Sequence, residues 1–238
     1  MRKSKPAAMC LHTTDVHDLL SASVLNYMPG FDGFQFVDNH MFKAKMSEAE
    51  DLFAFIPRVD CETDTNYRQL IPYVIIQSSD GKILTYNRQA KGSKEGEQRL
   101  AGAGSIGFGG HIEINDVDPW GPLSTVYKSV SRELCEELFH DTEEGGVFTT
   151  DRYALTIKGI LRSSATEVDR VHLGIIIIAA LTEDSIEMKV TELGTKHGFY
   201  AAEPDQIINL RWLTPAELKE EPNMENWTKY IIESPLIK

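Results

Sequence analysis

The chain has 238 residues, 24 Lys+Arg against 36 Asp+Glu, 42% hydrophobic and 25% charged residues, a composition typical of a globular protein. It excludes collagen-like, disordered and disulfide-stapled proteins. Because the formal net charge of −12 repels phosphate backbones and anionic lipids, we expect neither a long nucleic acid nor a membrane as partner. A small phosphorylated substrate stays compatible with this charge if a divalent cation mediates its binding.

Three cysteines, Cys10, Cys61 and Cys135, form no CxxC pair and no cluster with histidine at metal-ligand spacing. The sequence therefore predicts neither a disulfide framework nor a structural zinc, and we expect a reducing, cytoplasmic location. The basic residues 1–6 are not followed by an apolar run typical of a secretory signal. The longest apolar run, residues 174–181, is too short to span a bilayer and predicts a buried strand.

Two regions of different character divide the chain. Residues 1–66 predict an N-terminal extension with one short helix over 47–55, and residues 67–238 predict a folded domain. Within that domain the patterns predict a hairpin over 71–77 and 83–87, a glycine-broken strand over 105–114, a helix over 125–139, strands over 153–161, 171–181, 186–190 and 207–212, and helices over 215–219 and 225–233. Strands on both sides of a central helix are typical of a mixed α/β (α+β) sandwich.

The residues that carry chemistry are concentrated in the predicted helix over 125–139. On a helix, Glu133, Glu136 and Glu137 stand at i, i+3 and i+4, so three carboxylates share one face. Like charges at this spacing destabilise a helix by about 0.2–0.5 kcal/mol per pair unless a hard divalent cation binds their oxygens. A solvated acidic face is the alternative interpretation. The neighbouring Arg132 can neutralise these acids or orient one of them.

A glycine-rich strand end precedes this helix. Gly109 and Gly110 allow the backbone to approach a ligand closely, and their carbonyls are hard donors suited to Mg²⁺. His111 and Glu113 follow directly, within a Gly-Gly-His-Ile-Glu sequence.

Together these segments resemble the Nudix (MutT-like) hydrolases. The shared features are the GGxxE strand end, the REUxEE helix with U aliphatic, and residues 211–218, which are similar to the WLTPEEL ending of such domains. The resemblance covers residues 70–235 and implies a Nudix-type mixed β-sheet sandwiched between helices. By match to the motif, Glu133, Glu136, Glu137 and the Gly110 carbonyl are metal ligands, Glu133 is alternatively the general base, and Arg132 orients it.

Two departures from the family pattern concern the first acid of the motif. Five residues separate Gly110 from Asp116, as the family pattern requires for its first acid, but fifteen residues rather than seven separate Asp116 from Arg132. The sequence therefore predicts an insertion at about 115–125, with Asp116 either replacing the first Glu or leaving it absent. Phe139 stands where the family has a helix-terminating glycine. The layout of the whole domain is similar to a group of predicted MutT-family phosphoesterases.

The resemblance implies a Mg²⁺- or Mn²⁺-dependent hydrolase that cleaves a diphosphate (pyrophosphate) bond in a nucleoside diphosphate-linked small molecule. Candidate substrate-binding residues are Arg88, Arg99, His111 and Glu113, and Trp120 in the insertion can stack a base or anchor a lid. The alternatives are a catalytically silent nucleotide-sensing module, an isomerase acting on isoprenoid diphosphates and a protein-interaction domain. We also expect that two copies of the chain can form a symmetric homodimer.

Overall fold

The computed structural model describes residues 6–89, 102–140, 153–181, 199–201 and 207–238. The strands are β1 (Ala7–His12), β2 (Gly33–Phe36), β3 (Phe53–Pro57), β4 (Tyr67–Gln77), β5 (Ile83–Arg88), β6 (Gly104–Ser105), β7 (Gly107–Phe108), β8 (Leu138–His140), β9 (Tyr153–Arg162), β10 (His172–Leu181), β11 (Phe199–Ala201) and β12 (Ile207–Leu213). The helices are α1 (Thr13–Ser23), α2 (Asn39–Glu48), α3 (Arg58–Cys61), α4 (Pro122–Glu137), α5 (Pro215–Glu220) and α6 (Asn226–Glu233). This content confirms the predicted mixed α/β class.

The predicted hairpin is confirmed. Strands β4 and β5 pair antiparallel, with Gln77 opposite Ile83. The Ser78 N–H donates to the Lys82 carbonyl at 2.9 Å, and Gly81 takes a φ of +83°, which glycine adopts without a steric penalty. The predicted strand over 186–190 lies outside the described residues.

The predicted short helix over 47–55 is wrong. Helix α2 ends at Glu48, and residues 53–57 form strand β3, which pairs antiparallel with β1 from Leu11↔Phe53 to Ala7↔Pro57. The cross-strand partners lie 42 to 50 residues earlier in the chain, so local helix propensity could not reveal them. The central helix also begins earlier than expected, at Pro122, because proline suits the first turn, where no backbone N–H is needed.

Contacts within the chain define two compact units. The first comprises Met1–Tyr73, Gly109–Val130 and Ile157–Ile177. In it, β1 pairs with β3 and with the start of β4, β2 pairs with β9, and α1 packs against α2. Its core includes the buried side chains Met9, Leu11, Leu20, Phe42 and Met46. The predicted extension over 1–66 falls inside this unit, and its boundary with a separate hydrolase domain stays a prediction.

The second unit comprises Val74–Phe108, Ser131–Thr156 and Ile178–Lys238. Strand β5 lies between β4 and β12, β6 pairs with β5, and β7 pairs with β4. Helix α5 begins with a capping box, in which Thr214 accepts from the Glu217 N–H and Glu217 accepts from the Thr214 N–H. Strands β4 and β10 and helix α4 each contribute residues to both units.

No helix among the described residues is long and apolar enough to cross a membrane.

Candidate functional site

The apolar stripe of helix α4 determines where its acidic side chains lie. The side chains of Val126, Val130, Leu134 and Leu138 are all buried, as their four-residue spacing predicts. Glu133, Glu136 and Glu137 lie beside this stripe, so Glu133 and Glu137 are partly buried while Glu136 is exposed. The helix therefore carries its carboxylates at the margin of the core, where a ligand can reach them.

Arg132 connects two of these acids. Its Nη1 donates to Glu133 Oε1 at 2.9 Å and to Glu136 Oε2 at 3.0 Å. The Glu133 side chain is 13% exposed and the Glu136 side chain 55% exposed, so the first contact is the better shielded from water. One guanidinium therefore contacts two of the three acids, and the role of Arg132 in orienting Glu133 stays a prediction.

The three carboxylates suit a hard divalent cation by their chemistry, but their described positions do not form a metal site. Three carboxylates at i, i+3 and i+4 are the oxygen ligands that Mg²⁺ and Mn²⁺ prefer. Within the described part of the chain, however, no three His, Cys, Asp or Glu side chains form a group that could hold a metal ion. An ion would require Glu136 to leave Arg132, and a half-exposed ion pair of this kind contributes only about 0–1 kcal/mol.

Arg88 is the predicted substrate-binding cation that the structure describes; Arg99 lies outside the described residues. The Arg88 Nε donates to Glu225 Oε2 at 3.2 Å, and the guanidinium lies 5.6 Å from the centre of the Tyr86 ring. Burial alone would lower the pKa of Arg88, but the charges of Glu225 and Glu137 help to raise that pKa above its ordinary range. Arg88 is therefore a permanent cation within electrostatic reach of one predicted metal ligand.

The glycine-rich strand end belongs to the first unit. Gly109 has a φ of +133°, and a Cβ at this position would lie 2.2 Å from the Pro72 carbonyl oxygen, so only glycine fits. The next residue, Gly110, is partly exposed. The Nε2 atom of His111 lies 3.2 Å from the Nε2 atom of His172. The roles of Gly110 as a metal ligand and of His111 in substrate binding stay predictions.

Asp116 is engaged in the local turn. Its Oδ2 accepts from the Glu113 N–H at 2.8 Å, while the Glu113 side chain accepts from the Asp116 N–H, which completes a capping box around a 3₁₀ turn at Ile114–Asp116. Asp116 is 2% exposed. This geometry gives both acids a structural task, and it favours the alternative in which Asp116 does not replace the first Glu of the motif.

The segment predicted as an insertion contains two local hydrogen bonds and an exposed tryptophan. The backbone N–H of Trp120 donates to Asp118 Oδ1 at 3.0 Å, and the backbone N–H of Asp118 donates to Thr125 Oγ1 at 3.1 Å. Gly121 follows with a φ of +98°. The Trp120 residue is 86% exposed, so its anchoring as a lid on the core is not observed.

Sequence reasoning missed Glu225. It is a buried carboxylate that bonds Arg88 and Ser105, and it stands directly before α6 without a side-chain capping bond. An acidic residue before a helix is common on protein surfaces, so the pattern alone gave no signal of burial. The pairing of β5 with β6 places Ser105, the other partner of Glu225, opposite Tyr86, two residues before Arg88.

The fold and the acidic helix define this chain as a protein with the Nudix fold, as the sequence predicted. The crystal structure of Tm1382, assigned to the Nudix hydrolases, matches 97% of this chain and 98% of its own length with a TM-score of 0.68 at 23% identity. DR0079 from Deinococcus radiodurans matches 68% of this chain and 80% of its own at 12% identity, with a TM-score of 0.41 that is too low to support an argument.

The sequence comparison gives the family. No protein-family model matches the chain. Protein YmaB of Bacillus subtilis (strain 168) is 30% identical over 193 residues, which cover 79% of this chain and 81% of YmaB. The chain therefore belongs to the YmaB family.

Proposed function

We propose that this chain is a divalent-cation-dependent hydrolase of the Nudix type that cleaves the diphosphate bond of a nucleoside diphosphate-linked small molecule. The observation that supports it most is the ion-paired set on α4, in which Arg132 bonds Glu133 and Glu136 and Glu137 follows on the same face. Three carboxylates on one face destabilise a helix unless a cation neutralises them. A protein of net charge −12 also needs a cation to bind an anionic substrate.

The charged residues of α4 have different roles. Glu136 and Glu137 supply hard oxygens for Mg²⁺ or Mn²⁺, which when bound neutralises diphosphate charge and activates water. Arg132 holds the partly buried Glu133 in one orientation, so that its carboxylate can accept a proton from the attacking water. The exposed Glu136 leaves Arg132 at small cost because its ion pair is screened.

Arg88 supplies the positive charge for the substrate. A guanidinium binds phosphate oxygens through parallel N–H donors, and it keeps its charge at every accessible pH. Its side chain is 30% exposed, so a ligand can reach it.

A catalytically silent nucleotide-binding module is the second candidate. The buried capping box of Asp116 favours it, because the acid nearest to the missing first Glu is occupied in a turn. A homodimer and a cytoplasmic location remain further proposals.

The test is incubation of the purified protein with a panel of nucleoside diphosphate derivatives and Mg²⁺ or Mn²⁺, with the products identified by mass so that the cleaved bond is known. Glu136→Gln and Glu137→Gln remove single carboxylates of the site. Glu48→Gln on α2 is the matched control, since Glu48 is also an exposed helical acid in an ion pair.

Turnover that requires the metal and falls at least about a hundredfold in both site variants, but not in Glu48→Gln, is the expected result. Turnover that persists in EDTA contradicts the metal-dependent mechanism. Nucleotide binding without cleavage, seen as a raised melting temperature, supports the binding module instead.

A further inference from the structure

Glu225 holds Arg88 through a carboxylate that is fixed at both oxygens. The Arg88 Nε donates to Oε2 at 3.2 Å, and the Ser105 Oγ donates to Oε1 at 2.6 Å. The side chain of Glu225 is 6% exposed, compared with 30% for Arg88. The buried acid is therefore the fixed partner, and the arginine extends from it toward solvent.

The backbone locks Glu225 in this place. Its N–H donates to the Gly104 carbonyl at 2.9 Å, and the Gly104 N–H donates to the Asn223 carbonyl at 2.9 Å. A Cβ on Gly104 would lie 2.3 Å from Met224 Sδ, so the segment before α6 runs close against β6. The backbone of Glu225 is thus bonded to β6 at the point where α6 begins.

The guanidinium of Arg88 is oriented by two contacts. Nε points to Glu225, and the plane lies over the Tyr86 ring at 5.6 Å. Tyr86 is itself buried, with its hydroxyl donating to the Gly107 carbonyl at 3.0 Å. Within the described part of the chain, the side-chain hydrogen bonds of Arg88 are limited to the one from Nε, so Nη1 and Nη2 are available for another acceptor.

We propose that Glu225 is a positioning residue that turns the Nη1–Nη2 edge of Arg88 toward the phosphate oxygens of the substrate. The inference rests on the proposed function, because it needs Arg88 as the phosphate contact. Two parallel N–H donors match two oxygens of a diphosphate, and the match is lost when the guanidinium can rotate. A fixed Nε is the simplest means of preventing that rotation.

The experiment measures the binding of inorganic pyrophosphate in the presence of Mg²⁺ by calorimetry. It also measures KM and kcat for the substrate identified among the nucleoside diphosphate derivatives. Glu225→Gln keeps the size of the side chain and removes its charge. Glu221→Gln is the matched control, since Glu221 forms a 2.8 Å ion pair with Arg211 in the same unit, although its side chain is more exposed, at 25%. Arg88→Ala and the Arg88→Ala/Glu225→Gln double variant complete a cycle.

We expect Glu225→Gln to weaken pyrophosphate binding and raise KM about tenfold with kcat changed less than about threefold, and Glu221→Gln to change neither. The double variant should bind no more weakly than Arg88→Ala alone, because Glu225 acts through Arg88. If Glu225→Gln does not fold, Arg88→Lys replaces it; lysine keeps the charge but loses the Nε contact and the paired donors, and the same tenfold loss is expected.

Additive losses in the double variant, or equal effects of Glu225→Gln and Glu221→Gln, overturn the positioning role while leaving the hydrolase intact. Absence of both pyrophosphate binding and turnover in the unaltered protein contradicts the proposed function, and the positioning role with it. The two failures are thereby distinguished.

Discussion

The Nε2 atoms of His111 and His172 lie 3.2 Å apart, with the two rings in an edge-to-face arrangement. Nδ1 of His172 lies 2.6 Å from the Val168 carbonyl oxygen. Because a carbonyl can only accept, Nδ1 of His172 carries a proton and, in the neutral ring, its Nε2 accepts from the Nε2–H of His111. His172 therefore fixes the tautomer of a predicted substrate-binding histidine.

Stability should fall in mild acid because of His172. Burial lowers the pKa of its imidazole, and Arg58 lowers it further, while the Val168 carbonyl, Asp169 and Glu62 raise it in part. The unfolded chain thus takes up the proton first as the pH drops below about 6.5, so stability is lost between that pH and the lowered folded value. Urea unfolding from about pH 8 to about pH 5 should show a smaller decline in His172→Gln. An equal decline in both proteins contradicts the prediction.

Gly109→Ala should destabilise the protein by about 2–4 kcal/mol, because it combines a left-handed φ with a contact to the Pro72 carbonyl. Gly81→Ala is the control, since Gly81 also has a positive φ but no atom within 4 Å of the added Cβ. That variant should lose about 1 kcal/mol. Denaturant midpoints measure both, and equal losses would show that the close approach of Pro72 has no effect.

Asp116→Ala should reduce the free energy of unfolding by about 1–2 kcal/mol, since it removes the acceptor of the Glu113 N–H. Asp116→Asn keeps an acceptor oxygen and should be closer to the unaltered protein. If the role is structural, neither variant changes the Mg²⁺ concentration at half-maximal activity. A tenfold rise of that concentration in Asp116→Asn would identify Asp116 as a metal ligand after all.

Arg132→Ala should lower the melting temperature in the absence of metal, because it removes both ion pairs and leaves the repulsion between Glu133 and Glu136, worth about 0.2–0.5 kcal/mol, uncompensated. Mg²⁺ should restore part of this loss by supplying the missing positive charge. Lys45→Ala breaks an exposed pair with Glu48 on α2 and should show no metal-dependent recovery. Identical Mg²⁺ responses of the two variants would disprove metal binding by the α4 acids.

Alkylation should distinguish the three cysteines. Cys10 and Cys61 are fully buried in one apolar cluster with Ala8, and burial raises the pKa of both thiols, so both stay protonated and shielded. Cys135 is partly exposed on α4. Iodoacetamide at about pH 8 should modify Cys135 in the folded protein and the other two only after denaturation, as peptide mass mapping would reveal. Early labelling of Cys10 would contradict the described core.

The sequence predicted those elements whose cause is local. The four-residue apolar stripe gave α4 its buried face, and the Ser78–Lys82 turn gave the β4–β5 hairpin. The Arg132 contacts followed from spacing as well, because residues four apart on a helix are neighbours.

What the sequence could not reveal depends on distant partners. Strand β3 exists because β1 pairs with it, so the helix expected over 47–55 ends early. Glu225 lies 137 residues from Arg88 in the chain, and nothing in either local pattern joins them. The capping box of Asp116 likewise depends on backbone angles that a count of residues along the motif does not contain.

The interleaving of the two compact units constrains how the chain folds during synthesis. The chain passes between them at residues 73/74, 108/109, 130/131, 156/157 and 177/178. Neither unit is complete until most of the polypeptide has left the ribosome: the first needs residues up to Ile177 and the second needs the C-terminal segment. Domain-by-domain cotranslational folding, with an N-terminal part finished first, is therefore not open to this protein. Strand β2, for example, cannot pair with β9 until residues 159–162 have been made, more than 120 residues after it.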